Sequence, residues 1–131
     1  MITFTTGSSG TPKGANRTHR FLAAQHYALH SNIPYEEGDV DLPVFPIFSL
    51  NNLAEGVATV IPGFDVGVPS EIDVPALLAQ FKACGVTCTT LSPSLLNRLS
   101  SFCLKNNIKL PDIRRVVTGG APVSRLSLIH I

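Results

Sequence analysis

Apolar positions along the chain fall into short β-type runs separated by stretches of helical spacing. Ile2 to Thr6 is β-branched and aromatic, which predicts a strand. Phe21, Leu22, Gln25 and Leu29 then recur at helical intervals behind a cap at Asn16 or Thr18, and Pro34 ends that helix. Leu42 to Phe45 reads as a short buried strand and Leu50 to Val60 as a helix capped by Asn51 or Asn52. Phe64 to Val68 reads as a further strand after the Pro62–Gly63 turn.

The second half repeats the rhythm. Asp73 caps a helix starting near Pro75, with Leu77, Leu78 and Phe81 on one face and Gly85 as its stop, and Val86 to Leu91 is an apolar and β-branched strand. Ser92 and Pro93 start another helix whose stripe is Leu95, Leu96, Leu99 and Phe102, ending at Asn106 and Asn107; Ile113 to Thr118 is the last strand. Alternation at this rate predicts an α/β fold, part of a mostly parallel sheet with helices on its faces. Ligands of such sheets collect at the carboxyl ends of strands, near the amino ends of the next helices. Two glycine-rich segments fall at such places, Thr5 to Gly14 and Val117 to Ser124, and they are expected to share one nucleotide site.

Composition narrows the partners. A chain of 131 residues, 44% hydrophobic, is large enough for a core. A net charge of +1 with 15% charged residues carries no basic field, so nucleic acid is not an expected partner. No apolar run is long enough to span a bilayer and no signal-peptide pattern opens the chain, so cytoplasm is the expected compartment. Cys84, Cys88 and Cys103 lack the paired spacing of a zinc site and read as reduced core residues. His26 and His30 have no carboxylate or cysteine partner in the pattern, so no metal site is assigned to them. Arg114, Arg115 and the scattered Asp and Glu residues read as solvated.

The first glycine-rich segment carries the chemistry. Gly7, Gly10 and Gly14 let backbone approach an anion, Thr5, Thr6, Ser8, Ser9 and Thr11 offer hydroxyls, and Lys13 supplies a compact positive charge. The P-loop pattern fails here, because Pro12 and Gly14 stand where glycine and a hydroxyl residue belong, and the dinucleotide pattern is absent. Residues Thr5 to Gly14 instead resemble, position by position, the signature loop of the adenylate-forming superfamily: acyl-CoA synthetases, luciferases and peptide-synthetase adenylation domains. Thr18–His19 and the segment Thr118, Gly119, Gly120, Ala121, Pro122 match two further motifs of that family in the right order. His19, at a helix start, reads as a capping or packing residue. Pro46, Ile47 and Phe48 match a pocket motif, but Ser49 stands where the family usually has His. The run LPVFPIFSLNNLAEG is similar to that of olefin-pathway β-lactone synthetases.

The resemblance implies an ATP-dependent ligase that converts a carboxylate, a fatty acyl or hydroxy-acyl group, to acyl-AMP, followed by transfer to coenzyme A or β-lactone closure. It implies pyrophosphate binding by Thr6, Ser8, Ser9, Thr11 and the catalytic Lys13 within the Thr5–Gly14 loop, and binding of adenine and the acyl carbonyl by Gly119 to Pro122. It further implies an acyl pocket including Phe48, Ser49 and Gly119. Phe45 and Phe48 read equally as core or pocket wall. Magnesium ligands and the family's catalytic lysine of the small domain are expected outside this chain. Residues 1–125 are thus expected to be a partial AMP-dependent ligase domain, inactive alone, and the rival reading is a nucleotide-binding fragment without chemistry. Leu126 to Ile131, LSLIHI, resembles a translated sequencing-library adapter and is expected to be a non-native tail.

Overall fold

The computed structural model describes residues 1–6, 12–66, 68 and 71–119, giving only the backbone of Thr5 and Thr6. The chain divides into two compact units, Met1–Tyr35 and Glu36–Ile131. In the first, strand β1 (Ile2–Thr6) pairs antiparallel with β2 (Pro12–Asn16), followed by helix α1 (His19–Asn32). Lys13 and Gly14, read from sequence as the end of a loop, therefore lie in a strand, Lys13 across from Thr5 and Gly14 across from Phe4. A methyl group on Gly14 would stand 3.2 Å from the Phe4 ring and 3.3 Å from Ile2, so the missing side chain is what lets those two lie over β2. Of the two caps expected for α1, Thr18 serves: its hydroxyl accepts from the Phe21 backbone N–H at 3.2 Å.

The second unit holds a parallel sheet of β3 (Val40–Pro43), β4 (Ala58–Thr59), β5 (Cys88–Leu91) and β6 (Arg115–Thr118), in the order β4-β3-β5-β6. Its helices are α2 (Pro46–Glu55), α3 (Val74–Cys84) and α4 (Pro93–Lys105). The α/β architecture with a parallel sheet stands as expected. Leu42 and Leu91 from the strands pack with Leu77 and Phe81 of α3 and with Leu95, Leu96, Leu99 and Cys103 of α4 to form the core. In α4 those apolar residues repeat at helical spacing and Ser92 Oγ caps the Leu95 N–H, so periodicity and capping agree. In α3 the stop is Gly85 at φ 61°, with the Val86 N–H closing back on the Phe81 carbonyl at 2.9 Å.

Four expectations are corrected. Helix α2 begins at Pro46, whose fixed φ suits a first turn, so Asn51 and Asn52 are buried mid-helix residues and not caps. Residues 64–66 are not in a strand; the sheet instead gains Ala58–Thr59, which emerges straight from the Gly56 turn that ends α2. Cys84 is exposed, whereas Cys88 and Cys103 are buried as read. Asp39 and Asp41 are buried, and Arg114 and Arg115 are engaged rather than solvated.

Those arginines belong to a clasp across the amino ends of three strands. Asp39 Oδ1 accepts from Arg114 Nη2 at 2.6 Å and from the Thr87 hydroxyl at 2.9 Å. Its Oδ2 accepts from the Glu36 backbone N–H at 2.8 Å and faces Arg115 Nη1 at 3.5 Å. Thr87 Oγ in turn accepts from the Val40 N–H, and the Thr87 carbonyl accepts from the Arg114 N–H at 2.7 Å. Burial alone pushes the Asp39 carboxyl up. The Glu36 amide, the Thr87 hydroxyl, the Cys88 thiol and the Arg114 guanidinium outweigh it and hold the carboxyl below its ordinary range.

Candidate functional site at the carboxyl edge of the sheet

The opposite ends of the same strands are built differently. The registers Pro43↔Thr90, Thr90↔Val117 and Leu91↔Thr118 bring the ends of β3, β5 and β6 to one edge. From that edge α2 and α4 start at once, at Pro46 and Pro93, so the amino termini of both helices lie at the carboxyl ends of β3 and β5, and β6, beside β5, ends at Thr118. In a doubly wound sheet this is where an anionic ligand is received.

The side chains at this edge are a mixture of apolar wall and one buried hydroxyl without a described partner. Phe45 and Phe48 flank the start of α2 with ring centroids 6.3 Å apart and planes tilted by 50°, and the Phe48 N–H bonds the Phe45 carbonyl at 3.0 Å. Phe48 and Ser49 are half-buried. Thr118 Oγ1 is buried and has no hydrogen-bond partner among the described residues. A buried hydroxyl without a partner costs about 1–3 kcal/mol, which a ligand oxygen or nitrogen would relieve. Gly119 follows, exposed, and among the described residues no heavy atom lies within 4 Å of where a Cβ would stand.

Of the residues expected from sequence to bind the nucleotide or acyl group, Phe48, Ser49 and Gly119 thus lie at the carboxyl edge. Lys13 and Gly14 lie on β2, with Lys13 exposed. Gly7, Ser8, Ser9, Gly10 and Thr11 lie outside the described residues, as do Gly120, Ala121, Pro122 and the tail from Leu126. Thr5 and Thr6 end β1, and only their backbone is described. Sequence reasoning took Thr118 only as a motif letter, and it missed the clasp. The available signal was charge of opposite sign immediately before two of the strands: Asp39 before Val40, and Arg114 before Arg115 and the Val116–Val117 pair.

Nucleotide and metal fare differently against these residues. The buried Thr118 hydroxyl without a described partner, the exposed Gly119 backbone and the amino termini of α2 and α4 are groups of the kind that hold a nucleotide. Among the described residues no three His, Cys, Asp or Glu side chains gather to hold a metal ion, so magnesium is assigned no ligand there. No described helix is long and apolar enough to cross a membrane.

The family model described as AMP-binding enzyme matches residues 1–127. Over 122 residues the chain is 40% identical to an olefin beta-lactone synthetase of Stenotrophomonas maltophilia, covering 93% of this chain and 21% of that protein. It is 32% identical to a long-chain-fatty-acid–CoA ligase of Thermus thermophilus, covering 95% of this chain and 24% of the ligase. Its fold superposes with a TM-score of 0.75, at 19% identity, on O-succinylbenzoate coenzyme A synthetase from Bacillus subtilis in complex with ATP and magnesium ion, over 97% of this chain and 26% of that one. The chain therefore spans about a fifth to a quarter of the length of the relatives it matches.

Proposed function

The chain belongs to the AMP-binding enzymes, an adenylate-forming ligase family, and from that premise we propose that it is part of an ATP-dependent acid ligase acting on a fatty acyl or β-hydroxy-acyl carboxylate. A carboxylate is a poor electrophile. Attack of its oxygen on the α-phosphorus of ATP forms the acyl-AMP anhydride and breaks the bond to the β-phosphate oxygen, and pyrophosphate departs with the electron pair. The protein's task is to hold the reactants in line and to spread the departing charge.

The segment Thr5–Gly14 takes that task, with Lys13 as its fixed positive charge and Thr6, Ser8, Ser9 and Thr11 as hydroxyl donors to the pyrophosphate. Gly119, Gly120, Ala121 and Pro122 hold adenine and the acyl carbonyl through their backbone, and Phe48, Ser49 and Gly119 line the acyl channel. Magnesium, when bound, neutralises phosphate charge. Coenzyme A or the substrate's own β-hydroxyl is the acceptor of the acyl group. Ser49, small and neutral where much of the family has His, together with the 40% identity to a β-lactone synthetase, favours the hydroxyl.

The observation that carries the reading is the Thr118 hydroxyl, unpartnered among the described residues, beside the exposed Gly119 backbone, within a match that runs from residue 1 to 127. Pyrophosphate exchange tests it. An intact enzyme containing this chain should exchange labelled pyrophosphate into ATP when given long-chain or β-hydroxy fatty acids. Lys13→Ala should slow the exchange on the order of 10- to 100-fold, the worth of one charge-assisted contact. No exchange across the whole acid panel, with ATP still bound, would leave a nucleotide-binding module without ligase chemistry. This chain by itself is expected to give no exchange.

A further inference from the structure

The parallel sheet carries paired charge at its amino edge and, at its carboxyl edge, a buried hydroxyl with no partner among the described residues, and β6 spans the two. This strand is Arg115–Val116–Val117–Thr118, the last of the described sheet, hydrogen-bonded there to β5. Its apolar pattern specifies register weakly. Val116 and Val117 are consecutive, so they point to opposite faces, and a slip by one residue merely exchanges one valine for the other on each face. All four residues are half-buried, so neither face is fixed by a fully buried side chain. The same slip would carry Thr118 along by about 3.3 Å and turn its hydroxyl to the other side of the sheet.

We propose that the Asp39 clasp is a positioning device that sets the register of β6 and thereby places Thr118 and Gly119 for the nucleotide. Asp39 meets Arg114 and Arg115 by side chain, while Thr87 takes the backbone N–H of Arg114 at 2.7 Å and that of Arg115 at 3.3 Å, so β6 is pinned where it enters the sheet. Thr87 also bonds Asp39 and Val40, which ties the same point to β3. The other charged or titratable groups at this point are Glu36, 3.0 Å from Arg114, and the Cys88 thiol. Register set at Arg115 is transmitted through three residues of extended backbone to Thr118, about 10 Å away. Asp39, Arg114 and Arg115 do not themselves meet substrate in this scheme.

The nucleotide role of Thr118 and Gly119 rests on the ligase reading; the register lock does not. Amide hydrogen exchange on Asp39→Asn and on the milder Arg114→Gln, whose side chain is 45% exposed, tests the lock. The expected result is exchange at least tenfold faster at Arg115–Thr118 with α4 amides, Leu96 to Cys103, changed less than twofold. Equal acceleration in β6 and α4 would mean general destabilisation and overturn the proposal, as would unchanged exchange in β6. In an intact enzyme the same variants should raise KM for ATP severalfold with kcat within twofold, the sign of lost uniform binding. A fall in kcat at constant KM would overturn the placement role. An unmodified enzyme without pyrophosphate exchange would sink the ligase reading while hydrogen exchange still decides the lock.

Discussion

A carboxylate that is 5% exposed keeps its charge only where neighbours replace the water it has lost, and Asp39 has an amide, a hydroxyl and two guanidinium groups to do so. Because its folded pKa lies below the ordinary aspartate value, its contribution to stability is complete above about pH 4, where the unfolded residue is ionised, and is lost as pH falls through the folded value. Urea unfolding at a series of pH values should therefore show stability declining below about pH 4 in the native sequence, with a shallower decline in Asp39→Asn. Equal slopes would exclude this residue as a source of acid sensitivity. Composition cannot reveal such a group: an Asp in a polar stretch looks solvated until three strand ends are brought around it. Burial pushes the Cys88 thiol up, and the neighbouring Asp39 adds to this, so it stays a protonated core residue.

Among the elements, α3 and α4 were legible because apolar spacing and stop residues coincide in each, with Ser92 capping α4 while Asp73 makes no side-chain cap bond in α3, whereas α2 was not. Its buried face carries Asn51 and Asn52, and Leu50 and Leu53 are 49% and 75% exposed, the reverse of the usual amphipathic order. Asn52, fully buried, donates from Nδ2 to Asp41 Oδ2 at 2.7 Å and so bonds α2 to β3 by a polar contact. Asn52→Ala should destabilise the fold by about 2–3 kcal/mol, because it removes a hydrogen bond to a buried carboxylate, and denaturant melts would read this as a lowered midpoint at constant m. A change below about 0.5 kcal/mol would mean that the contact adds nothing net. Propensity rules assign asparagine to caps and turns, so only the tertiary partner explains its place inside a helix.

Across the whole molecule, burial is uneven between the two units. Every fully buried apolar side chain of the described residues belongs to the unit beginning at Glu36, whereas α1 has none and Phe4 and Tyr27 are 71% and 69% exposed. The stripe of α1, Leu22, Gln25, His26 and Leu29, is only half-buried, and a 14-residue helix held that weakly is marginal in water. Amide exchange on this chain should show α1 exchanging at least a hundredfold faster than the centre of α4, and equal protection would contradict the uneven burial. The sequence by itself determined many of the local terms: the strands β1, β5 and β6, the helices α1, α3 and α4, the places where Ser92, Thr18 and Gly85 bound them, the α/β class, and the family resemblance that the family match then bore out. Those are set by neighbours within a few residues, which is the range over which side-chain periodicity and capping act. Tertiary structure alone decided that Lys13 sits on a strand, that Asp39 gathers Arg114 and Arg115, that Asn52 is buried, and that the Thr118 hydroxyl is buried without a partner among the described residues. Each of these depends on partners far away in sequence, and their cost or benefit exists only once the chain has closed around them and excluded water.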